Sequence, residues 1–311
     1  MDLNYNFTSL QCKVATLGFL ILTLLLSVYF SCHTEAQTES RNSTLASKTR
    51  LITSDISMRS CRCVAFRLDD VSDFTSTSVF MGIMDLFMKK NASLTVGIIG
   101  DSFGKDERLV SYIKGRIMDN HSQIEVANHS WKHEHFLNLT RDQQFESIRK
   151  TNEKINSIFG VTPLVFIPPY NEYNDDTLAA SEENNIKFFS SETLFDPGPY
   201  AVYSIHKIYH LPQTADTGDC HICEDGPAGN RSWFGLPHEK TLSRIHKSLS
   251  KYGFAVVTVH PWEYSLGHDS WIFDNAIDSE QLKELDLVIS QIQKEGLKIV
   301  TISNIVNEMR R

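Results

Sequence analysis

Dense clusters of basic residues are missing from this chain of 311 residues, in which 38 Asp and Glu outnumber 30 Lys and Arg for a formal charge of −8. Without a positive patch there is no electrostatic footprint for nucleic acid, and that class of partner is excluded. Internal repeats are lacking too, and low-complexity sequence is confined to a Ser/Thr-rich stretch near the N-terminus, so the remainder reads as one large domain. Cysteine is scarce, at positions 12, 32, 61, 63, 220 and 223.

A single long uncharged run, residues 14–30, follows Lys13 and lies near the lower length limit of a membrane span. Residues 1–32 are therefore expected to be a signal peptide or a retained signal anchor. The rest is then membrane-anchored outside the cell or secreted. Residues 33–60 read as a flexible stalk and 61–311 as the folded body. In an oxidising compartment Cys61, Cys63, Cys220 and Cys223 can form two disulfides whose pairing the spacing does not fix. The segment Cys220-His221-Ile222-Cys223 also suits a structural zinc knuckle.

Past the stalk, short apolar runs at 63–68, 94–100, 124–128, 164–167, 187–191, 255–259 and 297–302 predict buried strands. Helical spacing predicts helices over 75–90, 106–118, 140–159, 175–184, 239–252 and 279–294. Strict alternation implies an α/β fold, a parallel sheet closed or nearly closed as an irregular barrel of about seven strands. Residues 196–233 break the rhythm. Within them the alternating segment 200–211 predicts an extra strand before an excursion over the barrel mouth.

Polar residues stand at the C-terminal ends of the predicted strands: Asp69-Asp70, Asn128-His129, Pro168-Pro169-Tyr170 and His260-Pro261. In a barrel those ends share one face, where such folds keep their chemistry. Asp70, His129 and His133 supply the donors of a mononuclear metal site with a position left for water. The i, i+4 spacing of the histidines turns both rings to one side if the segment makes a helical turn. Alone, such a pair is more often a surface coincidence; the strand before it and the Asp pair give it weight.

Adjacent aspartates at a strand end repel, and burial raises their pKa values unless a cation offsets the charge. That assigns Asp70 to the metal and leaves Asp69 as a base. A helix N-cap, the competing reading, suits Asp73 better. His260 closes an almost wholly apolar strand and reads either as a general acid or as a hydrogen-bonded core residue. His135, His206, His210 and His221 read as surface or supporting residues, His135 being the first candidate for more.

At these residues the chain resembles the polysaccharide deacetylases, the NodB-homology group of carbohydrate esterase family four, over roughly residues 61–306. Phe66-Arg67-Leu68-Asp69-Asp70 is similar to the family's first motif, which implies base and ligand roles for the two aspartates. His129-Ser130-Trp131-Lys132-His133 matches the second, H-[ST]-x-x-H. Ile167-Pro168-Pro169-Tyr170 meets the third, R-x-P-[YF], only in part: Tyr170 would offer its backbone N–H to an oxyanion, but Ile167 stands where the arginine that orients the base should be. Without that cation Asp69 should titrate higher, unless Arg67 or Lys132 supplies the charge from another direction. Val257-Thr258-Val259-His260 is similar to the last motif and would make His260 the acid; the Trp and Asp of the fourth have no convincing counterpart.

The resemblance implies an irregular (β/α) barrel and a hydrolase that removes acetyl groups from an N-acetylated sugar polymer. It would use one divalent metal ion, zinc in the first place or else cobalt, manganese or nickel. The alternatives are a hydrolase of another C–N or ester bond at the same site and a non-catalytic glycan-binding surface protein on the same scaffold. The expected partners are an acylated glycan and, through the N-terminal segment, the membrane.

Overall fold

The central stave of the sheet is β1, Cys63–Val71, in which every residue from Cys63 to Asp69 is buried. A parallel strand covered on both faces is apolar nearly throughout, so the two polar residues of this stretch, Arg67 and Asp69, stand out as placed there at a cost. The computed structural model describes residues 60–118, 123–201, 203–204, 206–220, 233–269, 272–273 and 275–311. The apolar run at 14–30, the stalk to residue 59, Cys12, Cys32, His221 and Cys223 lie outside the described residues.

On one side β1 pairs in parallel with β2 (Leu94–Ile98), then β3 (Ile124–Asn128), β4 (Val165–Phe166), β5 (Phe188–Phe189) and β6 (Tyr209–His210). A further strand, β7 (Ala215–Asp216), precedes the short antiparallel ribbon of β8 (Gly218–Cys220) and β9 (Trp233–Gly235). On its other side β1 pairs with β10 (Phe254–Val259), and β10 with β7. After a second small ribbon, β11 (His268–Asp269) with β12 (Ile272–Phe273), the last strand, β13 (Lys298–Val300), lies along the first residues of β1.

Strands β6 and β7 are two pieces of one run. Between them Gln213 N–H donates to Ser191 O and Thr193 N–H donates to Gln213 O, while Thr214 N–H donates to Val256 O. Residues 209–216 thus bond to β5 with their first half and to β10 with their second, which closes a ring of seven parallel staves. This is the expected barrel. The alternating segment 200–211 contributes only Tyr209–His210 to the sheet, because Ala201 and Lys207 take left-handed backbone angles (φ 57° and 55°) that turn the chain back before it.

Helices pack outside the staves: α1 (Thr77–Lys89), α2 (Glu107–Met118), α3 (Arg141–Phe159), α4 (Asp175–Glu183), α5 (His238–Tyr252), α6 (Ser279–Lys294) and α7 (Ile302–Met309). Helix α3 shows why they form where they do. Thr140 and Gln143 make a reciprocal capping box, Gly160 ends the helix at φ 72°, and Ile148, Thr151, Ile155 and Phe159 line the buried face. Such a cap stabilises by about 1 kcal/mol.

Helix α7 starts at Ile302, where a strand was expected to run on; Thr95 Oγ1 accepts from Ile302 N–H and draws the chain into a helix beneath the barrel. Asp73 does not cap α1. Its carboxylate instead accepts from the backbone of Gly104 and Lys105. Cys61 and Cys63 are joined by a disulfide at the start of β1. No helix among the described residues is long and apolar enough to cross a membrane.

Candidate active site

The pairing of β1 with β2 slips by one residue between Leu68 and Val71, so that Asp69 and Asp70 together face Gly97. A bulge of this kind re-aims side chains that a regular strand would send to opposite faces. Asp70 takes φ 62° to do so. Gly97 makes room: a Cβ there would sit 3.3 Å from Ile167 Cδ1 and 3.5 Å from both Asp69 Oδ1 and His129 Cβ.

His129 follows β3 directly, with its backbone N–H on Ile98 O. The segment from His129 to His133 is not the helical turn its spacing suggests but a loop in which Ser130 and His133 adopt φ 66° and 58°. Side chains hold that geometry. Asn128 Oδ1 accepts from Ser130 N–H, Ser130 Oγ from His133 N–H, and Ser147 Oγ on α3 from Trp131 N–H, all at 2.8–2.9 Å. Gly100 and Asp101 donate to the carbonyls of Ser130 and Trp131 and lay the loop along the end of β2.

The result brings Asp70, His129 and His133 together. Nε2 of His129 lies 3.1 Å, and Nε2 of His133 3.0 Å, from Asp70 Oδ1. Ligands about 2.0–2.2 Å from a shared ion stand roughly 3.0–3.5 Å from one another, so the spacing fits one cation. The tautomer fits as well. His129 Nδ1 donates to Ile167 O at 2.8 Å, leaving the Nε2 lone pair on the site side, the arrangement usual for a ligating imidazole. Burial pushes the Asp70 carboxyl up, but the hydrogen bonds and charges of the two histidines outweigh it and hold the group well below the ordinary carboxylate range. For His129, burial favours the neutral ring, while Asp70 and then Asp69 raise its pKa on balance.

Asp69 is 2 % exposed, and its Oδ2 pairs with Arg67 Nε at 3.1 Å. Its Oδ1 is buried with no hydrogen-bond partner among the described residues. The cation beside Asp69 is therefore Arg67, and Lys132 points to solvent. Ile167 is wholly buried.

Tyr170 lies on the turn after β4, where it and Asn171 take left-handed angles of 57° and 58°. Its ring stacks on His135 at 3.7 Å and leans on His133 at 4.7 Å, forming a half-exposed wall beside the ligands. Opposite stands His260 at the end of β10. Its Nδ1 is 3.1 Å from Glu263 Oε1, its ring stacks on Trp262 at 4.4 Å, and Trp233 of β9 lies 5.9 Å away. Glu263 is 4 % exposed and takes a hydrogen bond from Thr217 Oγ1 at 2.6 Å. Burial alone would lower the pKa of His260, but the hydrogen bond and charge of Glu263, helped by Asp69 and Asp70, push it up to about 9.

Glu263 and Trp262 are the residues that sequence reasoning missed. The carboxylate and the aromatic ring that contact the histidine stand among the three residues after it, in His260-Pro261-Trp262-Glu263.

Residues 57–189 match the polysaccharide deacetylase family model, a span that holds Asp69, Asp70, both histidines and Tyr170 but not His260. A peptidoglycan-N-acetylglucosamine deacetylase of Bacillus cereus is 27% identical over 122 residues, 39% of this chain and 41% of that protein. One from Listeria monocytogenes is 28% identical over 102 residues, 33% of this chain and 21% of that protein. The matches thus span less than half the length of these relatives. Among solved structures, one from Mycobacterium smegmatis, described as a polysaccharide deacetylase, superposes with a TM-score of 0.59 at 16% identity, covering 83% of this chain and 93% of that one. A family pseudoenzyme from Bacillus anthracis superposes at 0.50 with 17% identity over 79% and 66%. At such identities the likeness is one of fold.

Proposed function

From the match of residues 57–189 to the polysaccharide deacetylase family model, we propose a hydrolase that removes acetyl groups from an N-acetylated sugar polymer, with one divalent cation held by Asp70, His129 and His133. The observation that carries this reading is the convergence of three ligand atoms on one point with an unengaged carboxylate oxygen, Asp69 Oδ1, on the next residue.

A divalent cation bound there would supply Lewis acidity toward the amide carbonyl and its attacking water. Asp69, with Oδ2 held by Arg67, takes the water's proton on Oδ1 as the oxygen adds to the carbonyl carbon. The backbone N–H of Tyr170 hydrogen-bonds the carbonyl oxygen as charge builds on it. His260, whose Nδ1 faces Glu263, gives the proton on Nε2 to the departing nitrogen, so that the C–N bond breaks to free amine and acetate.

That two relatives are peptidoglycan-N-acetylglucosamine deacetylases supports an N-acetylated glycan as substrate. Zinc is the first candidate ion for this donor set. The uncharged run at residues 14–30 and the Cys61–Cys63 disulfide support a body outside the cell, tethered or secreted.

The test is elemental analysis of the purified full-length chain followed by acetate release from a panel of N-acetylated glycans, O-acetylated glycans and small N-acetyl compounds. The reading expects about one equivalent of metal and release from an N-acetylated glycan. Release from small amides or esters alone would transfer the function to another bond, and full activity in metal-free His129→Ala protein would end it.

A further inference from the structure

The largest wholly buried side chain is a charged one, Arg67, in the middle of the central strand. A cation buried in the sheet is tolerated only where its donors are matched. They are matched from four directions. Nε reaches Asp69 Oδ2 at 3.1 Å and Thr258 Oγ1 on β10 at 2.9 Å. Nη1 meets the Ser190 carbonyl, Ser190 Oγ and Ser191 O just beyond β5. Nη2 donates to Asn171 Oδ1 at 2.7 Å and to Gln213 Oε1, in the stave that closes the barrel, at 2.9 Å. Asp69 is the anion in this set.

Two of these partners matter for chemistry. Holding Oδ2 of Asp69 leaves Oδ1 as the proton-accepting oxygen. Holding Asn171 fixes the left-handed turn of Pro168–Asn171, whose backbone carries Tyr170; Ser191 Oγ bonds to the Asn171 carbonyl from the same side. One planar, forked group therefore ties the base to the turn of the oxyanion donor, which a flexible ammonium could not do.

We propose that Arg67 is the positioning residue of this active site, orienting Asp69 and the Tyr170 turn together, and that it does from within the strand of the base what Ile167 cannot do from the strand across. The proposal rests on the function read above, with Asp69 as base. Arginine and aspartate two residues apart share a face of β1, and the bulge that follows begins at the aspartate. Ile167 Cδ1 and Asp69 Oδ1 lie about the same point above Gly97, so a side chain carried at position 167 can reach the same carboxylate.

The experiment compares full-length wild type with Arg67→Met, Arg67→Lys and the exchange Arg67→Met/Ile167→Arg, measuring bound metal, thermal midpoint, kcat and KM on the best glycan substrate. Arg67→Met is expected to lose about 100-fold in kcat with KM and metal content unchanged, the scale of a misplaced reacting group. The exchange is expected to recover at least tenfold of that loss, which a merely structural arginine would not give. Should Arg67→Met fail to fold, Arg67→Lys, which keeps the charge and loses the fork, is read instead with the same expected loss. A wild type active on the glycan beside an equally active Arg67 variant, or an exchange no better than the single variant, overturns the positioning role alone. A wild type with full metal and no turnover overturns the function and the role with it.

Discussion

Glu263 lies three residues after His260 and holds its imidazole from below, Oε1 to Nδ1 at 3.1 Å, while Thr217 fixes the other carboxylate oxygen. The imidazole thus has its counter-charge on the turn that follows it. In its proposed role as acid His260 works protonated, and with its pKa pushed up to about 9 activity should fall as the pH rises through that value. Glu263→Gln removes the charge that raises the pKa, so the alkaline limb of kcat/KM should move down toward the ordinary histidine value. A limb that stays where it is in the variant would show that another group sets it.

Asp69→Asn keeps the shape of the proposed base and removes its basicity. The variant should bind metal as the wild type does and lose about 10²–10⁴-fold in kcat, the usual weight of a general base. Metal content measured beside turnover separates this outcome from a damaged ligand set, and a variant within threefold of wild type would take the base role away from Asp69.

Stripping the cation with a chelator should abolish acetate release, and adding back a divalent ion should restore it. Since ligand bound to the native state stabilises it, a cation at about 100 times its Kd adds roughly 2.7 kcal/mol, a rise of about 5–10 °C in thermal midpoint for a body of this size. His133→Ala, which leaves two of three ligands, should lose most of that rise. Calorimetry with and without the ion reads both, and equal midpoints would mean that no ion binds the folded site.

Gly100→Ala tests the loop between the two histidines without touching a ligand. A Cβ at Gly100 would sit 2.6 Å from the Trp131 ring and 2.8 Å from Thr151 Oγ1, so the indole must leave its seat and pull the His129–His133 loop with it. The expected cost is about 1–3 kcal/mol of stability, the range of an overpacked core, together with weaker metal binding. Unchanged metal affinity in a destabilised variant would show that the loop is held elsewhere.

How much of this was legible in the sequence depended on what each feature rests on. The long staves β1, β2 and β10 announced themselves as continuous apolar runs, because a parallel strand covered on both faces has no polar side to interrupt the pattern. The segment 200–211 alternated like a strand, yet of its described residues only Tyr209–His210 join the large sheet, since Ala201 and Lys207 take left-handed angles. The pairing of His129 with His133 was readable, yet its cause was misread: residue spacing cannot distinguish one helical turn from a loop pinned by Asn128 and Ser130. Arg67 was visible as one of two candidate cations, and strand alternation places it on the face of Asp69; only coordinates could show its fork also grasping Asn171 and Gln213.

The stave that closes the barrel changes partners halfway along, bonding to β5 through Tyr209–His210 and to β10 through Ala215–Asp216, with Pro212 unable to donate between them. Each seam is a ladder of two residues against six between β1 and β10, so backbone amides of 209–216 should exchange ahead of those in β1 and β10. Gln213 sits in that stretch with its amide oxygen on the guanidinium of Arg67. Whatever loosens the seam therefore also loosens the guanidinium that pairs with Asp69.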